Sequence, residues 1–215
     1  MSVRTKICGI TRIEDLEAAV TAGADAVGFI VGVPSSTRNL SLERAARLVG
    51  QIPVFTSSVL VMVPSDLDDL TEAYEMIRPD SLQVHGDGVP GVVEIREAIP
   101  EATLIKGIRS EPEEASRAAE EASGFDAVLL DTFSPGRHGG TGMTHDWRIS
   151  EKIRRNLGPR RLILAGGLNP SNVQEAIRTV RPYAVDVSTG VESSPGVKDH
   201  GKIASFIENV REVKL

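Results

Sequence analysis

Short apolar bursts rich in β-branched residues recur along the chain and alternate with longer stretches of mixed polarity. The bursts run from Val3 to Cys8, Ala26 to Val31, Val54 to Val63, Ser81 to His85, Thr103 to Ile108, Ala127 to Asp131, Leu162 to Ala165 and Ala184 to Val187. Runs this short and this continuous are what strands buried on both faces of a parallel sheet require. Between them, Ile13 to Ala22, Leu42 to Gln51, Leu67 to Ile77 and Glu111 to Ala122 carry Ala, Glu, Arg and Leu in an amphipathic pattern that predicts helices. Ser41 and the Asn169-Pro170 pair read as helix starts, because a short polar cap or a first-turn proline deals with orphan N–H donors. Gly23 and Gly50 read as helix ends, where glycine accepts the left-handed cap conformation.

Eight such units in 215 residues leave about 27 residues each, near the minimum for a closed (β/α)8 barrel. The alternative, an open doubly wound sheet, needs edge strands protected by polar residues or proline, and all eight bursts look fully apolar. The pattern therefore predicts a TIM barrel. No linker or low-complexity tract divides the sequence, so a single α/β domain over 1–215 is expected.

Composition narrows the partners. A chain of this size buries about 70 % of its surface and needs no staples. It carries 24 basic against 30 acidic residues, a net charge of -6 and a single cysteine. That balance offers no electrostatic footprint for nucleic acid, and one thiol excludes a disulfide framework. The first residues lack a basic segment followed by an apolar one, and no apolar run approaches the roughly 20 residues a membrane span needs. A cytoplasmic protein acting on a small molecule, without nucleic acid or membrane, is the expectation.

In a barrel of this kind chemistry sits at the carboxyl ends of the strands. The residues there are Cys8-Gly9, Gly32 to Arg38, Pro64-Ser65, His85-Gly86, Gly107 to Arg109, Asp131-Thr132, Gly166-Gly167 and Ser188-Thr189-Gly190. Glycines after strands 7 and 8 let backbone N–H groups approach a phosphate dianion, and Val191 to Ser194 is expected to add a partial helical turn. Gly139-Gly140-Thr141-Gly142 lacks the spacing of a dinucleotide site. Cys8 and Asp131 fall on strands three apart around a closed ring, positions from which a proton acceptor and a donor can flank a small substrate. Taken alone each has a plainer reading, a small buried strand-end residue and a turn carboxylate. Arg38 offers a guanidinium fork for a planar carboxylate, or is an exposed loop residue. His85 either touches substrate or is a satisfied core histidine, and Asp186 either binds sugar hydroxyls or braces its loop. Asp25, Asp80 and Asp126, at the strand entrances, read as structural.

Seven segments carry a resemblance: KICGIT at 6–11, GADAVGFI at 23–30, LQVHG at 82–86, LLDT at 129–132, GGTGMTHDW at 139–147, LAGGLNPSNV at 164–173 and DVSTGVESSPGVKD at 186–199. In this order, over nearly the whole chain, they resemble phosphoribosylanthranilate isomerase, the barrel enzyme of tryptophan biosynthesis. The resemblance implies an Amadori rearrangement of N-(5-phosphoribosyl)anthranilate, with Cys8 as general base and Asp131 as general acid. It further implies that Arg38 binds the anthranilate carboxylate and that Gly166, Gly167, Thr189 and Gly190 hold the phosphate. Asp186 would lie against the ribose hydroxyls. No cofactor or metal is implied, because the substrate's own nitrogen is the electron source and sink. Contact with other tryptophan-pathway enzymes, such as indole-glycerol-phosphate synthase, is a further expectation.

The sequence departs from the family on the anthranilate side. Val31 to Arg38 replaces an aromatic, Pro-rich segment with a Ser-Pro-Arg triplet, Val61-Met62-Val63-Pro64 replaces a Phe-Val-Asn-like ending, and His145 replaces a frequent Phe. Two rival readings are another phosphosugar isomerase, such as the histidine-pathway aminoaldose isomerase, and a silent phosphate-binding protein. The first calls for an acidic pair on strands 1 and 5, where this chain has Cys8 and Lys106-Gly107. The second calls for loss of Cys8 or Asp131.

Overall fold

The computed structural model describes residues 2–86, 90–109, 120, 122–131 and 147–215. Its barrel strands are β1 (Arg4–Ile7), β2 (Ala26–Val31), β3 (Ser57–Met62), β4 (Ser81–Val84), β5 (Thr103–Arg109), β6 (Ala127–Asp131), β7 (Arg161–Ala165) and β8 (Ala184–Val187), and the two-residue strand Asn39–Leu40 adds to the end of β2. Each pairs in parallel with the next, and β1 pairs with both β2 and β8, so the sheet closes into an eight-stranded ring. The helices α1 (Ile13–Ala22), α2 (Leu42–Val49), α3 (Leu67–Ile77), α4 (Val92–Ala98), α5 (Trp147–Asn156), α6 (Val173–Val180) and α7 (His200–Glu212) lie between or after the strands. This is the expected (β/α)8 barrel.

The two-residue alternation of strand side chains divides the apolar residues into two cores. Val59, Val61, Ile105, Ala127, Leu129, Ile163, Ala165 and Ala184 fill the barrel together with Cys8. The opposite parity, including Ile7, Val27, Phe29, Leu60, Leu82, Leu104, Val128, Leu162 and Val185, packs against the helices. Lys6, Cys8, Gln83, His85, Asp131 and Asp186 share the inward parity of their strands, which is why polar chemistry concentrates inside the carboxyl end.

The opposite rim is stitched by the three aspartates. Asp25 Oδ2 accepts from the Thr5 N–H at 2.8 Å, Asp80 from Ser58 at 2.7 Å and Asp126 from Leu104 at 2.8 Å. Each carboxylate before an even strand thus clasps the first turn of the odd strand beside it, and charge-assisted bonds of this type are the stronger kind. Before β8 the same place is taken by Tyr183, whose ring lies between the Arg4 and Arg161 guanidinium groups at 5.5 and 5.1 Å.

Several boundaries differ from the expectations. Val54 and Phe55 are not strand residues: they form an exposed turn in which Phe55 has φ +74°, and β3 begins only at Ser57. The regular part of α6 begins at Val173, but the chain turns from Asn169-Pro170 as expected: Asn169 Oδ1 accepts from the Ser171 N–H at 2.9 Å and its carbonyl from the Val173 N–H at 3.2 Å. Gly23 caps α1 in the left-handed conformation, whereas Gly50 caps α2 with φ −64°. The turn after β8 is a 3-10 turn over Thr189–Val191, and Glu192 already opens a short hairpin, Glu192–Ser194 with Val197–Lys198. The helix expected at Glu111 to Ala122 and the loop from Gly136 to Thr144 lie outside the described residues, apart from Glu120 and Ala122.

Candidate active site

Cys8 follows β1 directly, its N–H donating to Val187 O on β8 at 2.8 Å, and it is buried. Two residues earlier on the same inward face, the Lys6 ammonium meets Asp186 Oδ1 at 3.1 Å, both groups buried. The two side chains have room because β2 presents Gly28 to them. A Cβ on Gly28 would stand 2.8 Å from Cys8 Sγ and 3.2 Å from Lys6 Nζ, so thiol and ammonium flank one empty side-chain position.

Burial pushes the Cys8 thiol above its ordinary 9.0, and Asp186 adds to this; Lys6 and Lys198 act against it. Lys6 is held above 10.5: burial alone would lower it, but Asp186 and the thiol outweigh that. Lys198, fully buried at its side chain, is pulled below 10.5 by burial despite its ion pair with Glu192.

Asp131 is the last residue of β6, half-buried, and pairs in register with Ala165 at the end of β7. Ala165 belongs to the same interior cluster as Cys8. Acid and thiol candidates therefore end their strands at one rim, on the inward parity, three strands apart.

Arg38 does not stand open to solvent. Its Nε donates to Glu192 Oε1 at 2.6 Å and its Nη2 to Glu192 Oε2, a bidentate pair that fastens the loop after β2 to the hairpin after β8. Its aliphatic stem crosses Gly9, where a Cβ would stand 2.6 Å from Arg38 Cδ. Lys198 Nζ joins the same Glu192 carboxylate at 3.0 Å and also donates to Ser188 O at 3.1 Å. Burial by itself would raise the Glu192 carboxyl, but the Arg38 fork and Lys198 hold it below 4.5.

The two glycine loops meet each other. A Cβ on Gly190 would stand 1.9 Å from the Leu168 carbonyl oxygen, so the loops after β7 and β8 touch backbone to backbone. Gly166 and Gly167 turn the chain with φ +79° and +66°. Asn172 then pins them, its Nδ2 donating to Gly167 O at 3.0 Å and its Oδ1 accepting from Asn169 N–H at 2.9 Å. Gly167 and Thr189 are exposed at the rim. The arrangement leaves room for a small anion to approach main chain without obstruction by side chains.

His85 lies across β5, its ring occupying the place of a side chain on Gly107, and its Nε2 is 2.7 Å from Gln83 Nε2. One amide–imidazole hydrogen bond thus fixes the ring at the mouth. A cleft lined by Ala22, Ala204, Glu208, Arg211 and Glu212 lies between α1 and α7 on the helical shell, away from the strand ends. Among the described residues no cluster has the makings of a metal site, and no helix is long and apolar enough to cross a membrane.

The structure gathers Cys8, Asp186 and Arg38 through shared partners, and Gly166, Gly167, Thr189 and Gly190 through adjoining loops. Lys6, Lys198 and Glu192 complete the first group and were not singled out from the sequence. Lys6 alone left a sequence signal, a lysine at inward parity two places before the thiol.

Known proteins are similar to this chain over nearly its whole length. The family profile described as N-(5'phosphoribosyl)anthranilate (PRA) isomerase matches residues 5–209. The N-(5'-phosphoribosyl)anthranilate isomerase of Methanothrix thermoacetophila is 44% identical over 209 residues, covering 97% of this chain and 98% of that one. The crystal structure of phosphoribosyl anthranilate isomerase from Thermotoga maritima superposes with a TM-score of 0.86 at 38% identity, covering 98% of this chain and all of that one. A crystal structure of such an isomerase with reduced 1-(o-carboxyphenylamino)-1-deoxyribulose 5-phosphate gives a TM-score of 0.83 at 38% identity, covering 98% and 100% of the two chains.

Proposed function

The chain belongs to the N-(5'-phosphoribosyl)anthranilate isomerase family, and from that premise we propose that its barrel mouth isomerises N-(5-phosphoribosyl)anthranilate to 1-(2-carboxyphenylamino)-1-deoxyribulose 5-phosphate, within tryptophan biosynthesis. The observation that carries the reading is the shared rim: a lone thiol at the end of β1 and a carboxyl at the end of β6, both on the inward parity.

The proposed steps follow from what each group can do. Asp131 donates a proton to the furanose oxygen as the anilino nitrogen pushes the C1′–O bond open, which leaves an iminium at C1′ and a hydroxyl at C4′. Cys8, as thiolate, accepts the proton from C2′, and the C2′–H electron pair moves toward the iminium carbon to give the enolamine. Ketonisation then moves the proton back to carbon, so the reaction is a net isomerisation and needs no external redox partner. The cationic iminium forms beside the thiol, where a positive charge favours the thiolate over the thiol.

The rest of the mouth holds the substrate in place. The Gly166, Gly167, Thr189 and Gly190 main chain takes the phosphate, in the loops where barrels frequently hold one. Arg38 faces the anthranilate carboxylate, using N–H groups beyond those given to Glu192 or exchanging partners with it. His85 borders the substrate, and Asp186 lies toward the ribose hydroxyls while it holds Lys6. The whole chain works as one barrel domain in the cytoplasm, with contact to other enzymes of the pathway only transient.

The loss of phosphoribosylanthranilate fluorescence tests the assignment. Cys8→Ser and Asp131→Asn are expected to lower kcat by a factor on the order of 100 or more, the usual weight of a positioned acid or base. Rates equal to the parent enzyme would remove these residues from the reaction.

A further inference from the structure

A buried lysine beside the thiol calls for an explanation that packing does not provide. Taking an ammonium out of water is costly, and a buried ion pair seldom stabilises more than well-packed apolar residues of the same volume. Lys6 is 3% exposed and its Nζ is held by Asp186 Oδ1 at 3.1 Å, inside a barrel whose apolar filling is Val, Ile, Leu and Ala. Apolar residues in place of both Lys6 and Asp186 would fill the barrel at no electrostatic cost.

What Lys6 does have is a reactive neighbour. It shares the inward face of β1 with Cys8, and both stand over the side-chain position that Gly28 leaves empty, Sγ at 2.8 Å from it and Nζ at 3.2 Å. We propose that Lys6 is a positioning residue for the isomerisation, its buried ammonium favouring formation of the Cys8 thiolate that accepts the C2′ proton, with Asp186 anchoring that ammonium and tempering its charge. This rests on the reading of Cys8 as the base.

Other charges bear on the thiol from other elements. Asp186 approaches it from β8, Lys198 from the hairpin, and Arg38 from the loop after β2. Lys198 and Arg38 share their charge with Glu192. Of the two lysines Lys6 acts on the thiol the more strongly, ahead of Lys198. Because Asp186 disfavours the thiolate while securing the lysine, the two residues have opposite signs: removing Lys6 makes the thiol harder to ionise, and neutralising Asp186 makes it easier.

The test uses the chain's single cysteine, so alkylation by iodoacetamide and the ultraviolet absorbance of the thiolate both report on Cys8 alone. Lys6→Met is expected to lower the thiolate absorbance and the alkylation rate at pH 8 about tenfold, one pK unit, and to shift the pH profile of kcat/KM upward to match. Lys6→Arg, which keeps the cation, should restore both at least in part, and Asp186→Asn should raise the thiolate fraction severalfold. Should Lys6→Met fail to fold, Asp186→Asn and Lys6→Arg still decide the matter. An unchanged or lowered thiolate fraction in Asp186→Asn overturns the proposal, as does a folded Lys6→Met with parental absorbance. If the ionisation shifts as described but Cys8→Ser turns over at the parental rate, the assignment of the base fails instead.

Discussion

Arg38 and Glu192 lie 154 positions apart in the chain and meet as a bidentate guanidinium–carboxylate pair at the barrel mouth. The pair ties the loop after β2 to the hairpin after β8, and Lys198 enters it from beneath. For the proposed contact of Arg38 with the anthranilate carboxylate, this means an arginine ordered beforehand, so less conformational freedom is lost on binding.

Arg38→Lys keeps the charge but loses the fork. Steady-state kinetics should show KM for phosphoribosylanthranilate raised roughly 10- to 100-fold, the equivalent of about 1.5–3 kcal/mol for a hydrogen bond to a charged group, with kcat little changed. A variant with the parental KM and only reduced stability would make Arg38 a strut.

Glu192 gives the fold an acid dependence. Its carboxyl, which burial alone would raise, is held below 4.5 by Arg38 and Lys198, so the folded chain holds this proton less tightly than the unfolded chain does. The stability gained is present above the ordinary carboxylate value and is lost as pH falls through the lower folded value. Urea midpoints measured from pH 7 to pH 3 should fall less steeply in Glu192→Gln than in the parent, though the variant starts lower.

Two glycines in the proposed phosphate loops should respond differently to alanine. At Gly190 the new methyl would stand 1.9 Å from the Leu168 carbonyl oxygen, a main-chain obstacle that cannot rotate away. Gly190→Ala should therefore displace both loops, cost about 1–3 kcal/mol, and weaken inhibition by inorganic phosphate about tenfold or more. At Gly167 nothing lies within 4 Å, but φ is +66°, so Gly167→Ala should cost about 1–2 kcal/mol of backbone strain with a milder effect on phosphate. Equal losses in the two variants would contradict the close loop contact.

The far rim should govern stability alone. Asp25→Ala removes the acceptor for the Thr5 N–H, and a loss of about 1.5 kcal/mol is expected, about 3–6 °C in Tm for a chain of this size. Turnover at 25 °C should stay at the parental value, because the substitution lies at the opposite end of the strands from the proposed site.

How far the sequence disclosed this molecule follows from the range of the forces involved. The limits of β2, β6, β8, α1 and α3 match the bursts and helical stretches read from the chain, because residues buried on both faces, or on one helical stripe, write their surroundings into local pattern. The same rule misled at Val54 and Phe55, apolar residues that continue into β3 without a break in hydrophobicity yet sit in solvent. Pro53 before them and the polar Thr56-Ser57 step after them were the marks of the turn. The glycine loops and the strand-end thiol and carboxyl were legible because barrel geometry sends strand ends to one rim. Lys6–Asp186 and Arg38–Glu192 were not, since pairs 180 and 154 residues apart depend on ring closure and on which neighbour is a glycine.

The aspartate clasps of the lower rim bind β1 to β2, β3 to β4 and β5 to β6, with Tyr183 standing in the fourth place. The cylinder is thereby assembled from quarters, and its seams are unequal. Circular permutants offer a way to feel the difference: new termini cut at the exposed Val54-Phe55 turn fall on a seam and leave every clasp inside its quarter, whereas termini cut at 23–25 set the carboxylate of Asp25 on a loose end. The first rearranged chain should keep most of the parent's cooperativity of unfolding, and the second should fray where the ring was closed.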